Sequence, residues 1–395
     1  MSNPERADVV IVGGAIIGSA VATFLASRPD FDGRIVVVER DPTFRTSSTT
    51  LSAASIRLQF STPLNIEISR FGLELIRHMD RYLAVNGEVP EIDFVENGYL
   101  FLATDAGQAT LERNHALQRS MDVPVVLLSP SELRERFDWI QADDLAGASL
   151  GTADEGWFDA YALLQGFRRK ARSLGVEERV REVTDLELDG DRVGAVRLGD
   201  GGEIAADWVI NAAGPRAAAV AGMAGIELPV EARKRHVYHF EAPVSIGAAP
   251  LTVDPSGIYF RPEGPSYIAG FSPLDGDPDP HTLDLEVDRS RFEAFVWPAL
   301  AHRVPAFERL RLLDAWAGHY EVNTLDHNAV VGPHPRITNL LFANGFSGHG
   351  LQQAPAVGRG LAEWIATGRY ETLDLSPLGY ERIDSNTPVR ELNIV

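Results

Sequence analysis

Two glycine-rich stretches near opposite ends of the 395-residue chain carry the residue types best suited to holding a phosphorylated ligand. The first, Gly13-Gly14-Ala15-Ile16-Ile17-Gly18, is a G-x-G-x-x-G fingerprint with alanine at its middle position. In such a string the first glycine makes a tight turn, the middle one lets main chain approach a pyrophosphate, and the last packs helix on strand, while the helix N-terminus faces negative charge. Glu39 follows at the spacing of about twenty residues where a carboxylate accepts hydrogen bonds from ribose hydroxyls and disfavours a 2′-phosphate. These residues define an adenine-dinucleotide half-site, which NAD and FAD share. "TSSTTLSAAS", Thr46 to Ser55, is rich in hydroxyls just beyond the second strand and suits a second phosphate and the ribityl chain of a flavin. The second stretch, "NGFSGHG", ends where a helix begins. Bare amides there would meet the pyrimidine edge of an isoalloxazine ring, which becomes negative on reduction, so positive helix-end charge would favour hydride uptake.

Composition narrows the alternatives. There are no cysteines, so disulfides, thiolate metal sites, iron–sulfur clusters and a thiol nucleophile are excluded. With 36 Lys+Arg against 56 Asp+Glu the formal net charge is −20, the opposite of a nucleic-acid binder's footprint. Val9 to Ala26 is free of charge but broken by glycines; "MSNPERAD" before it lacks a positive n-region and no small-residue cleavage site follows. It reads as neither signal peptide nor membrane span, and the expected setting is cytoplasmic, with no integral membrane segment.

The elements that must position these residues follow from periodicity. "DVVIVGG" is a β-branched run suited to a strand buried on both faces, "AIIGSAVATFLASR" has helical spacing, and Arg34 to Arg40 is a second buried strand, giving a βαβ unit in a parallel sheet. Helices are expected over 62–85 and 159–174, with Thr62 and Asp159 as N-caps. Val183 to Ile210 reads as an antiparallel meander ending in the buried strand "WVINAAGP". From about 230 to 320 the segments "HVYHFEAP" and "GIYFRP" point to an antiparallel sheet, and "DGDPDPHTLDLEVD" reads as a solvated acidic loop. A buried strand, "NLLFANG", and a helix over 351–367 close the pattern. The expected architecture is α/β plus α+β: a Rossmann-type domain assembled from 1–85, 150–225 and 326–395, and an antiparallel-sheet substrate domain from 86–149 and 226–325.

"VVIVGGAIIGSA", "VINAAGP", "WAGHYEVNTLDHNAVVGPHP" and "FANGFSGHGLQQAPAVGRGLAEW" together resemble the D-amino-acid oxidase superfamily of flavoenzymes, the branch with sarcosine oxidase, glycine oxidase and D-arginine dehydrogenase. The likeness covers most of the chain. It implies FAD held without a covalent link by Gly13, Gly14, Ala15, Ile16, Ile17 and Gly18, by Glu39 and Arg40, and by Ser47, Ser48, Thr49, Ser52 and Ala53. It further implies contacts from Val183, Ala213, Gly214 and Gly318, and from the loop bearing Gly345, Ser347, Gly348, His349, Gly350, Leu351 and Gln352. The implied reaction is hydride transfer from the carbon beside an amine to flavin N5, giving an imine; the protein positions the C–H bond and excludes water. The resemblance carries an alternative, a flavoprotein that serves as an assembly or scaffold factor for a respiratory complex with little turnover.

Substrate expectations rest on departures from that family. Sarcosine oxidases carry a lysine where this chain has Gln352, and another in the strand that here reads "SYIAGF"; glycine oxidases place a carboxylate-binding arginine just after "WAG", where this chain has His319 and Tyr320. The departures favour a dehydrogenase over an oxidase, passing electrons to another acceptor, and leave the choice among oxygen, a quinone and an electron-transfer protein open. The substrate is expected to be a secondary or primary amine of amino-acid type, N-alkyl or D. Arg57, the one charge between Thr46 and Ile66, is the first candidate for a carboxylate anchor, since burying it unpaired would be costly. Arg261 is the second. Tyr259 and Tyr320 are candidates for closing the pocket, His349 for a structural or flavin-edge role, and Trp316 for packing between domains. His236 and His239 read as a pair on one strand face, in core or surface roles, and no metal site is expected.

Overall fold

The structure is a computed structural model that describes residues 5–273 and 276–392. Residues 1–4, on which the signal-peptide reading partly turns, and Asp275 of the acidic loop lie outside the described residues. β1 (Glu5–Val12) is central: it pairs in parallel with the strand Glu203–Asn211 on one side and with β2 (Ile35–Glu39) on the other. Val9, Val10, Ile11 and Val12 are all buried, as a strand covered on both faces requires. Glu177–Val180 extends this sheet beyond β2, and Leu340–Asn344 and Val330–Pro333 extend it beyond Glu203–Asn211. The expected meander is present as Val183–Asp189 and Arg192–Leu198, and its third strand runs without a break into "WVIN".

α1 (Ile16–Ala26) is buried around most of its circumference because the helix Gly350–Thr367 packs against it. That packing is close: a side chain at Gly358 would meet the main chain of Ala20 at 2.8 Å. The expected long helix after Thr62 is two, Pro63–Arg77 and Met79–Tyr82. Thr62 does not cap it; its hydroxyl bonds Glu391 Oε2 at 3.1 Å instead. Asp159 does cap Ala160–Ser173, accepting from the Ala162 amide at 2.9 Å.

A second eight-stranded sheet runs in the order Arg311–Asn323, Val230–Glu241, Ser266–Phe271, Ile258–Glu263, Leu251–Val253, Tyr99–Ala103, Gly147–Gly151, Val125–Leu128. Its pairings are antiparallel except that between Leu251–Val253 and Tyr99–Ala103. Gly147–Gly151 crosses the boundary drawn at 149/150. His236 and His239 are not a same-face pair, because three residues on a strand put side chains on opposite faces. His236 is buried and its Nε2 accepts from the Asp288 amide, whereas His239 Nε2 bonds the Ser266 hydroxyl at 2.6 Å. Trp316 joins the two sheets' territories, its indole donating to the Leu51 carbonyl at 3.0 Å. Among the described residues no helix is long and apolar enough to cross a membrane.

Candidate active site

Both glycine stretches open on one cavity of about 440 Å3. At one end, Gly13 adopts φ +102°, and a methyl there would run into the Ala212 carbonyl, so the turn requires glycine. Gly18 stands behind it, with no room for a side chain against the Gly13 carbonyl. Ala15, the N-cap of α1, offers no side chain to the helix amides; the Ile16 amide donates to Thr49 Oγ1 at 3.3 Å. Glu39 takes the Gly14 and Asp41 amides, each at 2.8 Å, which fixes its carboxylate at the cavity wall. The 46–55 segment folds on its own hydroxyls: Ser47 Oγ donates to the Phe44 carbonyl and Ser52 Oγ to that of Thr49. Ser48 Oγ is buried with no partner among the described residues.

At the other end the wall is made of side chains. Arg57 is buried against the rings of Phe60 and Phe101, 4.5 and 5.1 Å from their centroids. Its Nη2 lies 3.0 Å from His349 Nε2, and its backbone amide donates to Gln352 Oε1 at 2.9 Å. Burial, aided by the Arg57 charge, pushes His349 down to about 3, so the ring is neutral and its Nε2 accepts from the guanidinium. Tyr99, Tyr259 and Tyr320 also line the cavity. Burial pushes Tyr99 up to about 12 and raises Tyr259 and Tyr320, so all three stay phenols that can donate hydrogen bonds. Gly348 has φ +96° and lies against the Tyr320 ring with no space for a side chain. Glu321 is buried at the same wall and pushed up to about 8, hence uncharged at neutral pH.

The structure thus brings Gly13, Ala15, Ile16, Ile17, Glu39, Arg40, Ser47, Ser48, Thr49, Ser52 and Ala53 to one wall with Val183, Ala213 and Gly214. It brings Arg57, Tyr259, Gly318, His319, Tyr320, Gly348, His349, Gly350, Leu351 and Gln352 to the other parts of the same cavity. Gly14, Gly18, Gly345 and Ser347 stand behind the wall. Ser347 Oγ accepts from the Asn323 amide and holds the loop in place. Arg261 does not face the cavity, which corrects its reading as an anchor. Its guanidinium is drawn to the Ala53 carbonyl at 3.0 and 3.1 Å, to the Pro262 carbonyl and to Glu263, and lies over the Trp157 ring. The acidic loop is not simply solvated either: Asp279 pairs with Arg235, Asp284 with Lys234, and Leu283 and Leu285 line the cavity. Sequence reasoning missed these leucines, Tyr99 and Arg235. Strand alternation marks the faces of Tyr99 and Arg235, but nothing local says which strand the cavity lies against, and the leucines lie outside any strand.

A parallel sheet with a glycine turn at the end of its central strand, joined to an antiparallel sheet across one cavity, defines a dinucleotide-dependent enzyme. The profile of the family described as "FAD dependent oxidoreductase" (DAO) matches residues 8–364, and the chain belongs to that family. It is 45% identical to "FAD-dependent oxidoreductase domain-containing protein 1" of Xenopus laevis, over 99% of this chain and 85% of that protein. It is 27% identical to "Sarcosine dehydrogenase, mitochondrial" of Homo sapiens, over 93% of this chain and 40% of that one. Among solved structures, the L-proline dehydrogenase from P. horikoshii superposes with a TM-score of 0.86 at 26% identity, covering 98% of this chain and 100% of the other. The residues present fit FAD: two helix N-termini without side-chain caps open on one cavity, a buried serine hydroxyl lacks a partner among the described residues, and the turn excludes any side chain.

Proposed function

We propose that the chain oxidises a secondary or primary amine of amino-acid type, with FAD held noncovalently, and works as a dehydrogenase. The observation that carries this reading is the continuity of the cavity from the Gly13 turn to the Arg57–Tyr259–Tyr320 pocket. FAD, when bound, supplies the hydride acceptor. Val183, Ala213 and Gly214 complete its cradle with the glycine turn, and Gly318, against Leu51, lets the second sheet approach it.

The chain's own residues then have three tasks. Arg57, held by His349 and stacked on two rings, receives the substrate carboxylate in a fixed orientation. The phenols of Tyr259 and Tyr320 donate hydrogen bonds while their rings, with Val237 and Leu251, exclude water. Burial of the pocket, where Glu321 is held uncharged, disfavours an ammonium and so favours the neutral amine whose lone pair assists loss of hydride. Dehydrogenase rather than oxidase action is supported by Gln352, where the side chain is committed to the Arg57 amide, and by the absence of lysine from the described cavity wall.

The test is the visible spectrum of the purified holoprotein, recorded anaerobically with sarcosine, proline, dimethylglycine and a set of D-amino acids. Bleaching by one of them with slow recovery in air is the expected result. Fast recovery in air would make it an oxidase. A flavin that no amine reduces, in a protein that copurifies with respiratory subunits, would replace this reading with the scaffold one.

A further inference from the structure

We propose that the pocket takes an amine bearing two acid groups, one carboxylate at Arg57 and a second anionic group at Arg235; this rests on the amine-oxidising reading above. Arg235 stands on Val230–Glu241 and lines the same cavity as Arg57. Its guanidinium covers the Tyr320 ring at 5.3 Å, and the Tyr320 phenol feels the charge of both arginines. The two cations therefore line one cavity with Tyr320, Arg235 over its ring and Arg57 within reach of its phenol's electrostatics. A monocarboxylic amino acid with a neutral amine would match only one of them, whereas a diacid matches both.

In the absence of ligand Arg235 has a stand-in. Asp279 takes Nη1 and Nη2 in a two-pronged pair at 2.7 and 2.9 Å, the geometry a ligand carboxylate adopts on arginine. Arg235 Nε is buried with no partner among the described residues, so the guanidinium is not saturated. Asp279 belongs to a strap laid along the edge of Val230–Glu241. The Thr282 amide donates to the Ala232 carbonyl at 2.9 Å, the Ala232 amide to His281 Nδ1 at 3.1 Å, and Lys234 pairs with Asp284 at 2.5 Å. From that strap Leu283 and Leu285 reach the cavity. The Asp279 side chain keeps 30% of its exposure, so exchanging it for a ligand carboxylate returns a carboxylate to water at modest cost. The strap's register on the strand does not depend on that one pair.

The experiment uses holoprotein and two probes that cannot be oxidised at an amine, butyrate and glutarate, read by perturbation of the flavin spectrum. Wild type is expected to bind glutarate at least about tenfold tighter than butyrate. In Arg235→Met that ratio is expected to fall to about one, and in Asp279→Asn, which releases the guanidinium, to widen about threefold. A wild-type ratio near one, an equal loss of both probes in Arg235→Met, or a narrowed ratio in Asp279→Asn overturns the proposal; the last would mean that Asp279 braces Arg235. The Asp279→Asn arm stands even if Arg235→Met fails to fold. A glutarate preference in a protein whose flavin no amine reduces upholds the two-anion pocket and removes amine oxidation. Reduction by monocarboxylic amino acids without a glutarate preference does the reverse.

Discussion

The two ends of the cavity are built in different ways. The dinucleotide end is made of main chain: a positive-φ glycine, uncapped helix amides and hydroxyl turns, drawn from short contiguous stretches. The far end is made of side chains from separate strands, with Arg57 near the N-terminal third, Tyr99 and Tyr259 from two strands of the second sheet, and Tyr320 from a third. Main-chain recognition tolerates little change in backbone path, whereas a side-chain wall can be exchanged residue by residue. On the proposed function, one end would fix the cofactor and the other would select what reacts with it.

Substituting one residue at each end sharpens that contrast. Arg57→Met is expected to have the largest effect, lowering kcat/KM by about 100–1000-fold, as loss of a buried charge contact worth about 3–4 kcal/mol implies; titration with FAD should show that the dinucleotide end still binds. Gly13→Val is the converse. Strain at φ +102° and the clash with Ala212 should weaken FAD binding about 100-fold, measured by fluorescence on flavin release. Equal damage to both ends from either change would break the comparison.

The buried acids give the next effect. Glu321 is raised to about 8 and Glu155 to about 7 by burial, the latter despite the Leu58 and Gln59 amides that donate to it. Both bind a proton more tightly folded than unfolded, so their contribution is complete below about pH 4.5 and is lost as pH rises toward 7–8. His349, depressed to about 3, works in the other sense: its contribution is complete above about pH 6.5 and is lost as pH falls toward 3. Glu321→Gln should flatten the loss of stability of the apoprotein between about pH 4.5 and 8, by at most about 1.4 kcal/mol per pH unit, in thermal melts across pH 5–9. The smallest change is expected from Tyr320→Phe, about fivefold in kcat/KM, the worth of one neutral hydrogen bond, with KM carrying most of it.

The same contrast explains what was legible beforehand. Gly13, Glu39 and the hydroxyl segment could be read because their chemistry depends on neighbours within a few residues and on one strand–turn–helix unit. Arg261 alternates onto the same side of its strand as Tyr259, but its guanidinium turns to the Ala53 carbonyl, a partner 208 positions away that nothing local announces. Arg235 and the strap leucines were missed because their meaning arises from pairing between residues some fifty positions apart. Thr62 shows the limit of local rules: its position suits a cap, but a carboxylate from the C-terminal segment competes for its hydroxyl.

The main-chain end has a further consequence, for the order of events during synthesis. Its glycine turn is made well ahead of the strand Leu340–Asn344 beside Glu203–Asn211 and of the helix that buries α1. At ~5–20 residues per second, β1 and α1 wait tens of seconds for the partners that cover them. Until then their apolar faces are open to other chains and no cradle exists. The whole cradle for FAD therefore exists only once the Gly350–Thr367 helix has been made.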